Sequence, residues 1–154
     1  MFRISQYMEE IAHPTPLGPK RNPPGPVVIW NLIRRCNLTC KHCYSISADK
    51  DFPGELSTQE VYGVMDDLKR FRVPVLILSG GEPLLRPDIF DIAQRAKGLG
   101  FYVGLSSNGT LIDETNIRRI AETDFNYVGI SLDGIRETHD KFRRMQGAFE
   151  KSLH

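Results

Sequence analysis

The apolar positions change rhythm along the chain, and the changes mark out alternating strands and helices. Val27-Val28-Ile29-Trp30 is an unbroken apolar run rich in β-branched residues, the composition of a strand buried on both faces. Ser57-Thr58-Gln59-Glu60 has the form of a capping box, with Ser57 as N-cap and Glu60 three residues on. Val61, Val64, Met65, Leu68 and Phe71 follow at helical spacing and predict one apolar face. Val75 to Leu78 is a second buried strand. Asp88 is placed to cap a second helix whose Ile89, Ile92, Ala93, Ala96 and Leu99 share a face, and Gly100 suits the position just past its end. Phe101 to Leu105 predicts a third strand, Asp113 to Glu122 a third helix, and Tyr127 to Leu132 a fourth strand.

The last three strands are centred near Leu76, Tyr102 and Val128, an even spacing of 26 residues. That rhythm is a repeating βα unit, which builds a parallel sheet with right-handed crossovers. The expected class is therefore α/β, with four βα units that form an open sheet or part of a larger barrel. The interval between the first strand and the first helix is longer, and all three cysteines lie in it.

Ahead of this pattern, residues 1–12 read as a short amphipathic segment. Residues 13–26 hold six of the ten prolines and read as an extended arm, because proline lacks an amide proton and fixes φ. The division is an N-terminal segment and arm over 1–26 and a core over 27–154. Composition narrows the function classes. With 40% hydrophobic residues, 25% charged residues and a formal net charge of +1, the chain lacks the basic excess of a nucleic-acid binder. Its longest apolar runs fall far short of a membrane span, and Met1 to Lys20 has no signal-peptide core. A cytoplasmic setting follows as the expectation, and thiols stay reduced there.

Ligands of parallel α/β folds bind beyond the carboxyl ends of the strands. Four loops at that edge carry unusual residues: Cys36 to Tyr44, Ser79-Gly80-Gly81-Glu82-Pro83, Ser106 to Thr110, and Ser131-Leu132-Asp133-Gly134. Cys36, Cys40 and Cys43 fall within eight residues, a poor disulfide framework and a good metal-binding one. Three thiolates can hold three irons of a 4Fe–4S cluster and leave the fourth open. Zinc held by the same cysteines and His42 or His13, in a zinc-stabilised binding module, is the non-enzymatic alternative. Gly80 and Gly81 allow backbone to approach a ligand, and Glu82 offers a carboxylate to an ammonium group or simply to solvent. Arg34, Arg35 and Lys41 flank the cysteine loop and suit either substrate carboxylates or shielding of an anionic cluster.

Together, Cys36-x-x-x-Cys40-x-x-Cys43 with aromatic His42 and the later Gly80-Gly81-Glu82-Pro83 resemble the signature of radical S-adenosylmethionine (SAM) enzymes. The resemblance implies a (βα)6 barrel, of which this chain would be the N-terminal part, the rest of the barrel and an auxiliary-cluster region lying in a longer enzyme. It implies a 4Fe–4S cluster on Cys36, Cys40 and Cys43, with SAM on the open iron. Gly80, Gly81 and Glu82 would then hold the methionyl amino group, Ser131 and Arg143 its carboxylate, and Asn108 would lie near the ribose. Gly25 to Leu32, Cys43 to Asp49 and Phe52 to Thr58 resemble the members that act in haem d1 biosynthesis. Those remove propionate side chains from an iron tetrapyrrole, didecarboxysirohaem, and draw electrons from a reductase, ferredoxin or flavodoxin. Radical SAM decarboxylases of the alternative haem pathway and peptide-modifying maturases share the Ser131-to-Gly134 pattern or the precursor and stay open as alternatives.

Overall fold

The computed structural model describes residues 11–12 and 25–153. The expected segment over 1–12 and the proline-rich arm over 13–26 thus lie almost wholly outside the described residues, as does His13.

Alternating apolar runs and amphipathic stretches build one parallel sheet in the order β1-β2-β3-β4. Its strands are β1 (Val27–Ile33), β2 (Val75–Gly80), β3 (Tyr102–Ser107) and β4 (Tyr127–Ile130). Helices α1 (Thr58–Arg70), α2 (Ile89–Gly98) and α3 (Glu114–Thr123) connect them, and two short helices, α4 (Glu137–Arg143) and α5 (Ala148–Leu153), follow β4. The parallel α/β class and the βα rhythm are as expected.

Among the described residues the helices cover one face only. Leu76, Leu78, Val103 and Leu105 point to that side and pack with Val61 and Met65 of α1 and Ile89, Ile92, Ala93 and Ala96 of α2. Each fully buried aliphatic side chain stabilises by about 1.5–3 kcal/mol. On the opposite face the register lines up Ile29, Ile77, Gly104 and Tyr127, and one step on Asn31 with Ser79. This explains a departure at β1, which is not buried on both faces. Val27 is 53% and Ile29 66% exposed. β1 is an edge strand in this sheet and its uncovered face borders the cavity described below. A register shift between Asn31 and Ile33 then lets both Leu32 and Ile33 be buried, and it re-aims the chain into the cysteine loop.

The α1 capping box forms as read: Glu60 N–H donates to Ser57 Oγ, and Ser57 N–H to Glu60 Oε2 at 2.8 Å. Gly100 adopts φ +79° and closes α2 through its N–H to Lys97 O. Two expectations fail. Phe71 lies beyond the last turn of α1 and is exposed, because the chain turns away at Arg72, which has φ +61°. Asp88 stands at the start of α2 without capping it; its carboxylate binds Arg86 and Thr58 instead. Capping at α3 was only partly legible. The Asp113 carboxylate accepts from Thr115 and Asn116 N–H, both at 2.9 Å, while Asp113 N–H donates to Asn116 Oδ1 at 3.0 Å.

Candidate functional site

A cavity of about 340 Å³ opens at the carboxyl edge of the sheet. Its walls include Cys36, Cys40 and Cys43, the Gly80-Gly81 backbone, Asn108, Ser131 and Arg143. Of the nine site residues expected from sequence, all but Glu82 line it.

The cysteine loop is tied down at three places. Cys36 N–H donates to Ala48 O at 3.1 Å, and Lys41 N–H to Phe142 O of α4 at 2.8 Å. Gly81 N–H and Glu82 N–H bind Ile33 O and Arg35 O, at 2.6 and 2.9 Å. That approach requires glycine. A Cβ on Gly81 would stand 2.3 Å from Arg35 O, and Gly80, at φ +141°, would meet Ile33 O at 2.2 Å.

Glu82 departs from the expectation that it offers its carboxylate to a ligand. It is fully buried beneath the turn, where Oε1 accepts from Ser107 Oγ at 2.9 Å and Leu84 N–H at 3.1 Å, and Oε2 from Asn108 N–H at 2.8 Å. Burial pushes its carboxyl upward, against the pull of those bonds and of Arg143. Glu82 latches the loop after β2 to the loop after β3, and the glycine backbone is left to face the cavity.

Asn108 closes a ring of side chains across two loops. Its amide donates to Asn37 Oδ1 at 3.0 Å, Asn37 donates to Thr110 Oγ1 at 2.8 Å, and Thr110 Oγ1 donates to Asn108 Oδ1 at 2.7 Å. Arg143, a surface residue to the eye reading sequence, is 8% exposed. Its Nη2 donates to Ser131 O at 3.1 Å, its Nη1 lies 3.7 Å from Cys40 Sγ, and its Nε lies 2.6 Å from Asp133 Oδ2. Asp133 also approaches His42 Nε2 at 3.4 Å, and its N–H donates to buried His139 Nδ1 at 3.2 Å. Sequence reasoning missed His139, since nothing about a single histidine on a short helix marks it. Arg35 also departs from its expected role: it pairs with Asp49 at 2.8 Å and Asp51 at 3.2 Å, so its guanidinium is occupied by the chain itself. Arg34 lies over the Phe52 ring, 4.3 Å from its centroid.

The three cysteines are free thiols in unequal surroundings. Burial raises Cys36. Burial also acts to raise Cys43, but the Ser45 hydroxyl and then the donors of Ser47 outweigh it and bring the thiol down to about 7. Among the described residues no three His, Cys, Asp or Glu side chains gather closely enough to hold a single metal ion. The three thiols line the cavity, with the Leu38 N–H beside Cys36 and the Ser45 hydroxyl beside Cys43.

The radical SAM superfamily model matches residues 30–154. The chain is 55% identical over 153 residues to pre-heme d1 synthase of Dinoroseobacter shibae, covering 99% of this chain and 38% of that protein. It is 51% identical over 128 residues to Fe-coproporphyrin III synthase of Methanosarcina barkeri, covering 83% of this chain and 32% of that one. Among solved structures, anSMEcpe with bound AdoMet superposes with a TM-score of 0.63 at 25% identity, over 81% of this chain and 37% of that one. The chain thus spans about a third of the length of these relatives. A family match over most of the residues, and cysteines and a glycine turn meeting at one cavity, place this chain in the radical SAM superfamily.

Proposed function

We propose that this chain carries the cluster- and SAM-binding part of a radical SAM enzyme that removes propionate side chains from an iron tetrapyrrole, didecarboxysirohaem, in haem d1 formation. The observation that supports the chemistry is the meeting of three free thiols with the Gly80-Gly81 backbone and Arg143 around one cavity. The 55% identity to pre-heme d1 synthase over nearly the whole chain supports the substrate. With its cluster and SAM bound, the site supplies one-electron cleavage of the sulfonium and a 5′-deoxyadenosyl radical able to take a hydrogen atom from a propionate carbon.

Cys36, Cys40 and Cys43 would hold three irons. The turn at Gly80 and Gly81 would bring backbone to the methionyl amino group, with Glu82 bracing that turn from below. Arg143 and Ser131 would hold the methionyl carboxylate, and Asn108 would lie near the ribose. Asp133 holds Arg143 in place, so the guanidinium is oriented before its ligand arrives. A cytoplasmic setting and a ferredoxin, flavodoxin or reductase as electron donor complete the reading.

Anaerobic iron and sulfide reconstitution, followed by electron paramagnetic resonance of the reduced protein without and with SAM, tests the site. A 4Fe–4S signal that shifts on adding SAM and disappears when all three cysteines become alanine supports it. A folded protein that takes one zinc and forms no cluster overturns it. The 41% identity to AdoMet-dependent heme synthase of Oleidesulfovibrio alaskensis supports a second reading, decarboxylation on the route to haem. Mass spectrometry of products from didecarboxysirohaem separates the two, by loss of whole propionates or of carbon dioxide alone.

A further inference from the structure

We infer that the hydroxyl pair Ser45–Ser47 sets the reduction potential of the cluster through Cys43, an inference that rests on reading the three cysteines as cluster ligands. Cys43 Sγ lies 3.4 Å from Ser45 Oγ, which lies 2.5 Å from Ser47 Oγ. A cluster-bound thiolate has no proton to give, so with the cluster in place Ser45 would donate to Cys43 and Ser47 to Ser45, each bond polarising the next. Both serines line the cavity, and Ser47 is buried.

The backbone around the pair is held in an unusual shape. Ile46 stands between the two serines at φ +51°, a conformation that is strongly unfavourable for a β-branched residue. Its side chain is 77% exposed, so packing does not offset the strain. What the turn accomplishes is placement: Ser45 Oγ comes to 3.4 Å from the Cys43 sulfur, with Ser47 Oγ directly behind it. Successive N–H groups curled by a left-handed residue make an anion-binding concavity, a device that recurs at iron–sulfur sites. The segment is anchored at its far end, where Ala48 O accepts from Cys36 and Lys50 N–H and Ala48 bridges Arg35.

The other two sulfurs are served differently. Cys36 receives the Leu38 N–H at 3.4 Å and the Asn108 amide at 3.8 Å, and Cys40 has Arg143 at 3.7 Å. Among the described residues, hydroxyl donation falls on Cys43 alone. Reduction adds negative charge that spreads onto the sulfurs, so donors aimed at a sulfur stabilise the reduced state and raise the potential. Ser45 and Ser47 are thus positioning residues that make the cluster easier to reduce before SAM is cleaved.

An anaerobic redox titration of the reconstituted protein, read by electron paramagnetic resonance without SAM, is the test. Ser45→Ala should move the midpoint to a more negative value with iron content unchanged, Ser47→Ala should move it the same way by less, and Ser45→Thr should restore it. A Ser45→Ala protein with its full cluster and the wild-type midpoint overturns the inference while leaving the cysteine assignment intact. If Ser45→Ala loses iron, Ser47→Ala decides, since its hydroxyl bonds Ser45 and stands behind it, and a wild-type midpoint there is equally fatal. A wild-type protein that takes up no 4Fe–4S cluster overturns the cysteine assignment and this inference with it.

Discussion

Glu82 accepts the backbone N–H of Asn108 at 2.8 Å in a fully buried setting, and this bond helps tie the loop after β2 to the loop after β3. The same carboxylate takes the Ser107 hydroxyl and the Leu84 N–H, so three donors converge on it. Glu82→Gln keeps the size but turns an amide N–H2 toward donors already in place. Leaving a buried donor unmatched costs about 1–3 kcal/mol. The urea midpoint should fall accordingly, and SAM affinity with it, because the two loops that line the cavity would separate. A variant that unfolds at the wild-type midpoint would show that Glu82 does not brace the turn.

What the sequence revealed, and what it hid, follows from how far apart the interacting residues lie. Strands and helices were readable because their signal is local: apolar periodicity, the Ser57–Glu60 box and the glycine after α2. The cysteine loop and the Gly80-Gly81 turn were readable for the same reason. The direction of Glu82 was not, since its partners stand 25 and 26 residues further on and are brought beside it only by the β2–β3 pairing. Arg35 looked available because nothing local says that Asp49 and Asp51 fold back on it. The exposure of Ile29 was hidden too, as an apolar run does not say which face of a sheet will be left uncovered.

Burial separates two arginine–carboxylate sites that look alike in sequence. Arg86 is 7% exposed, donates to Leu32 O and Leu56 O at 3.0 and 2.9 Å, and pairs with Asp88 at 2.8 Å. Arg86→Ala leaves the half-buried Asp88 carboxylate and the carbonyls of Leu32 and Leu56 without their donor and should cost about 1–3 kcal/mol. The Arg35 side chain is 41% exposed, and Arg35→Ala should cost much less, because solvent screens an exposed ion pair. Chemical denaturation of the two variants in parallel checks the contrast; equal losses would mean that Arg35 carries a structural duty beyond its ion pairs.

Asp140 joins the last two helices. Its Oδ1 accepts from Phe149 N–H at 2.9 Å and its Oδ2 from Gly147 N–H at 2.6 Å. The Phe149 bond first, and then the Gly147 bond, hold the carboxyl below its ordinary value of 3.8. A carboxyl lowered in the folded state contributes stability that is present in full above the unfolded value and is lost as pH falls through the folded one. The α4–α5 join should therefore loosen only below about pH 4. Amide hydrogen exchange at Gly147 and Phe149 should quicken in Asp140→Ala at neutral pH and resemble the acid behaviour of the native chain. Unchanged protection of those two amides would remove Asp140 from this role.

Three glycines test how tightly the site is built against how freely the helices are. Gly81 has no room for a methyl group, with Arg35 O at 2.3 Å and Arg34 O at 2.6 Å from the Cβ position. Both contacts are backbone, so Gly81→Ala must push the start of the cysteine loop away from the turn, lowering both the thermal midpoint and the iron taken up on reconstitution. Gly63, in the middle of α1, has nothing within 4 Å of its Cβ position, and Gly63→Ala should stabilise by about 0.5–1 kcal/mol by restricting the unfolded chain. Gly54 also has open space but sits at φ +84°, so Gly54→Ala meets only backbone strain and should leave iron uptake unchanged. The order of stability Gly63→Ala, then Gly54→Ala, then Gly81→Ala, with iron loss confined to the last, is the expected result. Iron loss at Gly54 would mean that the loop after the cysteines, and not the close approach at Gly81, controls how the cluster is held.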